Sequence, residues 1–129
     1  MIRVLIVEDN ERVCQMMRDV LMEQKDHLFE VEICADINHA LQKLKSTTFD
    51  AVLLDLALPD SHGVETVKRV REAFPKIPIT AMTGLDDEET ATYALRAGAQ
   101  DYLVKGDFNS KVLVKSIRYG IERLKGMHS

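Results

Sequence analysis

Apolar residues fall along this chain in two rhythms. Short aliphatic runs occupy Ile2 to Val7, Ala51 to Leu54, Ile77 to Met82 and Tyr102 to Val104, while the stretches between them space apolar positions three or four apart. A run without polar alternation suits a strand covered on both faces, and the wider spacing suits one face of a helix. Phe29, Val31 and Ile33 alternate with Glu30 and Glu32, which predicts a strand nearer a sheet edge with one face less covered.

The helical stripes are Val13, Met16, Met17, Val20 and Leu21, then Ile37, Ala40, Leu41 and Leu44, then Val64, Val67, Val70 and Phe74. A fourth helix is expected behind the acidic turn Asp86-Asp87-Glu88-Glu89, whose charges suit a helix N-terminus, and a fifth carries Val112, Leu113, Ile117, Ile121 and Leu124. Asp36 is placed to cap the second helix, Pro59-Asp60-Ser61-His62-Gly63 to turn, Pro75 to end the third helix and Gly98 to close the fourth. Strands and helices in strict alternation predict an α/β fold with right-handed crossovers, one doubly wound five-stranded parallel sheet in the flavodoxin-like order 2-1-3-4-5 with five helices.

With 129 residues, 46% of them hydrophobic, the chain makes one compact domain, expected over residues 1–125, with 126–129 as a tail. No apolar segment approaches the roughly 20 residues a membrane helix needs, and Met1-Ile2-Arg3-Val4 leads straight into a strand without a signal peptide. A soluble cytoplasmic protein without membrane contact is expected. A net charge of −4 argues against direct nucleic-acid binding; the late bases Lys111, Lys115, Arg118, Arg123 and Lys125 are accounted for by the helix dipole. Cys14 and Cys34 sit in apolar-periodic segments as buried thiols, and His27, His39, His62 and His128 show no ligand spacing and read as surface residues.

The chemistry lies where strands end. The first ends in Glu8-Asp9, the third in Asp55, the fourth in Thr83-Gly84 and the fifth in Lys105-Gly106. Ligands of open α/β sheets bind outside these carboxyl ends. Taken singly, Asp55 is equally a cap, Thr83 a turn residue and Lys105 a surface lysine. Together they form a set. Three neighbouring carboxylates repel one another unless a cation joins them, and an oxygen-only donor set favours Mg²⁺ over zinc. Asp9 and Asp55 are the direct metal ligands, the backbone carbonyl of Ala57 adds another by loop geometry, and Glu8 acts through water. Such a set matches phosphoryl transfer to a carboxylate, with Asp55 as nucleophile and Thr83 and Lys105 as phosphate clamps.

Glu8-Asp9-Asn10, Asp55-Leu56-Ala57-Leu58-Pro59-Asp60-Ser61-His62-Gly63, Thr83-Gly84 and Asp101-Tyr102-Leu103-Val104-Lys105, in this order over essentially the whole chain, resemble the receiver domain of two-component response regulators. Single-domain chemotaxis-type regulators and receivers of larger hybrid proteins are similar. A chemotaxis member is a standard example of the 2-1-3-4-5 order, so order and family are one expectation rather than two. The resemblance implies a non-enzymatic signalling protein whose Asp55 takes a phosphoryl group from a sensor histidine kinase, a histidine phosphotransfer protein or a small phosphodonor, with Mg²⁺ or Mn²⁺ bound. Thr83 then moves its hydroxyl to the acyl phosphate, Tyr102 turns inward behind it, and the surface of the fourth helix, fifth strand and fifth helix changes population to engage an output partner.

One residue departs from the family: Gly106 stands where proline usually follows the lysine. A cis peptide costs roughly 0.5–1 kcal/mol before proline but about 2.5–4 before other residues, which bears on the Lys105 loop and on phosphorylation rate. A haloacid-dehalogenase-type phosphatase would want an acid two residues past its nucleophile, where this chain has Ala57, and a flavin carrier's phosphate would be repelled by Glu8-Asp9. The remaining rival is a receiver-like docking or dimerisation module that works without phosphate. The output is expected from a separate protein or an effector domain beyond this sequence, and the stripe Ile117, Ile121 and Leu124 is a candidate for helix pairing in a phosphorylation-dependent homodimer.

Overall fold

A computed structural model describes residues 1–26, 28–84, 88–106 and 109–128. Asp86, Asp87 and His27 lie outside the described residues, as do the side chains of Lys125 and His128. The elements are β1 (Ile2–Val7), α1 (Glu11–Met22), β2 (Phe29–Cys34), α2 (Ile37–Ser46), β3 (Ala51–Asp55), β4 (Ala57–Leu58), β5 (Ser61–His62), α3 (Val64–Ala73), β6 (Ile79–Thr83), α4 (Glu88–Ala97), β7 (Asp101–Val104) and α5 (Ser110–His128).

Five strands form one parallel sheet in the order β2-β1-β3-β6-β7, the order expected with the main strands counted one to five. The aliphatic runs form its interior: every residue of β3 and β6 is buried, as are Val4 to Val7 of β1. Side-chain alternation divides the core in two. Leu5, Val7, Val52, Leu54, Ile79 and Ala81 face α2, α3 and α4, whereas Val4, Ile6, Leu53, Met82 and Leu103 face Met17 and Leu21 of α1 and Leu113 and Ile117 of α5.

Local chemistry sets the ends. Asn10 caps α1, its Oδ1 accepting from the N–H groups of Arg12 and Val13, and Asp36 caps α2 by accepting from His39. Gly63 opens α3 at φ +66°, ψ −155°, a conformation essentially reserved for glycine. Gly98, at φ +121°, follows α4. Cys14 and Cys34 are buried free thiols, and burial pushes the Cys34 thiol up to about 12. His39 and His62 are exposed.

Three details differ from the sequence reading. The segment after Asp55 is not a plain turn but a hairpin, β4 against β5, with Ala57 opposite His62 and Leu58 opposite Ser61. The fourth main strand starts at Ile79 rather than Ile77 and runs on through Thr83, because Thr83 still pairs with Val104. The stripe proposed for helix pairing is largely taken up by the chain's own core: Ile117 is buried in it, Ile121 packs against it, and Leu124 is buried as well. Its apolar period is accounted for by this packing. Exposed instead are Val112 and Tyr119 of α5 and Tyr93 and Leu95 of α4.

Candidate functional site

The register brings the strand ends together in a staircase. Val7 pairs with Leu54, so Glu8 and Asp55 leave the sheet at one level; Asp55 pairs with Met82, one residue before Thr83; Thr83 pairs with Val104, one residue before Lys105. The N–H of Lys105 also donates to the Thr83 carbonyl at 2.7 Å. Alternation then separates roles. Glu8, Asp55 and Lys105 follow Ile6, Leu53 and Leu103 by two residues and share the α1/α5 side, whereas Thr83 follows Ala81, opposite Tyr102, toward α4.

The charges form a compact knot. Glu8, Asp9 and Asp55 each offer an oxygen within 4.8 Å of the others. Glu8 and Asp55 are about 1% exposed, and Asp9 is exposed at the rim. Lys105 Nζ lies 3.0 Å from Asp55 Oδ2 and forms an ion pair with Glu8 Oε1. Glu8 Oε2 accepts from the Asn10 N–H at 3.2 Å, and the buried Oε1 pairs with the Lys105 ammonium. Asp55 Oδ1 accepts from the Ala57 N–H at 3.2 Å.

Burial pushes the Glu8 carboxyl up, the lysine ammonium pulls it down and Asp55 pushes it up again, so that it stands above its ordinary value. Burial alone would lower Lys105, but its hydrogen bonds to Glu8 and Asp55 outweigh that and raise it. Three carboxylates sharing one ammonium suit a hard, oxygen-liganded cation, and a cavity of about 370 Å³ lined by Glu8, Asp9, Glu11, Cys14 and Gln15 among others lies beside them.

The sequence-predicted site residues are thus brought to one end of the sheet. Thr83 is buried and Tyr102 half-buried against the α2–α4 core. Gly106 follows Lys105 at φ +88° with no cis peptide bond among the described residues. Sequence reasoning missed Asp60 and Arg71. Asp60, in the hairpin turn, caps α2 from outside: Oδ1 accepts from Ile37 N–H at 2.9 Å and Oδ2 from Asn38 N–H at 3.1 Å. Arg71 of α3 donates to the Gly98 carbonyl from Nε and Nη2, at 3.2 and 2.7 Å, and to those of Phe74 and Pro75 at 3.1 and 2.9 Å.

The family model described as "Response regulator receiver domain" matches residues 4–118. The chain belongs to this family. Receiver domains of two-component systems bind Mg²⁺ at an acidic pocket and interact with histidine kinases or phosphotransfer proteins, and Glu8, Asp9 and Asp55 form an acidic cluster in this chain. The regulatory protein VanRB of Enterococcus faecalis is 36% identical over 122 residues, covering 95% of this chain and 53% of its own length. The chain therefore spans about half of that relative. The crystal structure of a CheY-like receiver from Methanospirillum hungatei superposes with a TM-score of 0.85 at 27% identity, covering 98% of each chain. A beryllofluoride-activated NtrC4 receiver domain, solved as a dimer, gives 0.86 at 27%, covering 96% of this chain and 99% of that one. Among the described residues, no helix is long and apolar enough to cross a membrane.

Proposed function

We propose that Asp55 is the phospho-acceptor of this receiver and that the domain works as a switch rather than as an enzyme with a turnover substrate. The observation that carries the reading is the buried Asp55 carboxylate with Lys105 Nζ at 3.0 Å and the oxygens of Glu8 and Asp9 within 4.8 Å. Asp9, Asp55 and the Ala57 carbonyl would hold Mg²⁺, or Mn²⁺ in its place, with Glu8 acting through water. When bound, the cation neutralises charge on the transferring phosphoryl group.

An Asp55 carboxylate oxygen attacks phosphorus, forming the O–P bond of an acyl phosphate as the donor's P–N or P–O bond breaks and its leaving group takes the electron pair. Lys105 then exchanges a carboxylate partner for a phosphoryl oxygen. Thr83, at the neighbouring strand end, supplies a hydroxyl donor to another oxygen, and Tyr102, half-buried on the same side of the sheet, moves inward into the space the threonine leaves. The donor is a sensor histidine kinase or a histidine phosphotransfer protein in the cytoplasm. The population shift reaches the faces of α4, β7 and α5, which engage an output protein, a linked effector domain or a second copy of the chain.

Intact mass after incubation with acetyl phosphate and Mg²⁺ tests the reading. A single phosphoryl adduct is expected on the native chain, absent from Asp55→Asn and from a chelated sample. No adduct, together with no binding of beryllium fluoride, would overturn it in favour of docking without phosphate.

A further inference from the structure

Leu58 anchors the hairpin that follows Asp55 in the core, but main-chain pairing alone does little to hold it closed. β4 and β5 contribute two residues each, and two-stranded hairpins are marginal in water. Its turn is Pro59–Asp60, and no non-glycine among the described residues has a positive φ. The turn is therefore not one of the primed types whose twist matches tightly joined strands.

The ties come from outside the hairpin. At its base the Gly63 N–H donates to the Leu56 carbonyl at 2.6 Å, and Ser61 Oγ is 2.8 Å from Thr66 Oγ1 of α3. At its tip the Asp60 carboxylate takes the N–H groups of Ile37 and Asn38, at 2.9 and 3.1 Å. The first N–H groups of a helix have no partner within it. Asp36 fills only that of His39, at 2.8 Å, so α2 has room for a second carboxylate, which its dipole also favours. Arg69 Nη1 adds a longer contact to the Asp60 carbonyl at 3.4 Å.

We propose that Asp60 is a positioning residue for the acid site: by tying the hairpin tip to α2 it holds the Ala57 main chain beside Asp55 and so sets the affinity for the divalent cation. This rests on the proposed function, in which the Ala57 carbonyl is a metal ligand. Ala57 is doubly constrained, by its pairing with His62 and by its N–H on Asp55 Oδ1 at 3.2 Å. Without the Asp60 carboxylate the hairpin loses its two bonds to α2, and both constraints on Ala57 slacken together. Supporting groups of this kind orient metal ligands they do not themselves touch.

Mn²⁺ titration of the full chain, read from the paramagnetic resonance signal of the free ion, tests this in the native protein, Asp60→Ala, Asp60→Asn and Asp36→Ala. Asp36→Ala strips the other cap from the same helix and leaves the hairpin alone. Asp60→Ala is expected to weaken Mn²⁺ binding roughly tenfold. Asp60→Asn, which keeps one acceptor oxygen, should recover part of that loss, and Asp36→Ala should lower the urea midpoint with unchanged Mn²⁺ affinity. Native affinity in Asp60→Ala would overturn the inference, as would equal weakening in Asp36→Ala, which would mark general loosening of α2. A native chain that binds no Mn²⁺ is a different result and would overturn the metal assignment itself.

Discussion

Lys105 Nζ sits 3.0 Å from Asp55 Oδ2 while also pairing with Glu8, so one ammonium, 21% exposed, serves two buried carboxylates from different strands. In the metal-free protein it is their counter-ion. In the proposed function, a cation entering among these oxygens would take over part of that task and leave the lysine to meet a phosphoryl group.

Lys105→Met is therefore expected to destabilise the metal-free chain. Losing one partner of a buried pair exposes the other's desolvation cost, although Glu8 can limit it by taking up a proton. A loss of about 2 kcal/mol in urea unfolding at neutral pH follows. Saturating Mg²⁺ should stabilise the variant more than the native chain, since it supplies the missing charge. Equal stabilisation of both by Mg²⁺ would show that Lys105 does not neutralise this pair.

Glu8 gives stability an uncommon pH dependence. Its folded pKa stands above the ordinary value of 4.5, chiefly through burial, so between those two values the native state keeps a proton that the unfolded chain has released. Its contribution to stability falls as pH rises through that interval and is flat above it. Lys105, raised above 10.5, contributes stability that is present below that value and is lost only as pH rises through its folded pKa. Urea unfolding in chelator at about pH 5 and about pH 7.5 should show Glu8→Gln gaining on the native chain at the higher pH. The opposite sign would mean that Glu8 is held below its ordinary value.

The C-terminal end of α4 depends on Arg71. A Cβ at Gly98 would lie 2.8 Å from Arg71 Cγ, and φ there is +121°. Gly98→Ala should cost on the order of 2 kcal/mol from backbone strain and displacement of the guanidinium. Arg71→Met, which leaves the carbonyls of Phe74, Pro75 and Gly98 without that donor, should cost a similar amount. Because displacement of the guanidinium is common to both while the backbone strain at Gly98 is not, the two losses should fall short of additive in the double variant. Additive losses would separate the glycine from the arginine.

Thr80 and Ser116 join β6 to α5 through a buried hydroxyl pair at 2.9 Å. Thr80→Val alone should cost about 1–2 kcal/mol by stranding the serine, and the double variant with Ser116→Ala should recover most of it. Chemical denaturation of the four chains of this cycle checks it; a double variant as weak as the sum of the singles would remove the pairing argument.

The main sheet was legible because its evidence is local and repeated: the aliphatic runs of β1, β3 and β6 and the helical stripes between them leave few other arrangements. Glu8, Asp9, Asp55, Thr83 and Lys105 were legible as strand-end residues because parallel pairing puts all strand ends on one side. The β4–β5 hairpin was not, since two-residue strands carry no measurable period. Asp60 and Arg71 escaped because the carbonyl of Gly98 that Arg71 holds and the N–H groups of Ile37 and Asn38 that Asp60 holds are main-chain groups 22 or more positions away, and a main-chain group has no sequence signature. The stripe Ile117, Ile121 and Leu124 was misassigned because an amphipathic face looks the same whether the chain's own sheet or a second molecule covers it.

The alternating acids of β2 bear on how this domain can meet copies of itself. β2 is an edge strand, with Glu30 paired to Arg3 and Glu32 to Lys43. An exposed edge is a template for strand addition unless something discourages it. Two such edges laid antiparallel about Val31 would set Glu30 of each against Glu32 of the other, like charges in the least favourable positions. This edge guards itself against strand addition from a second copy.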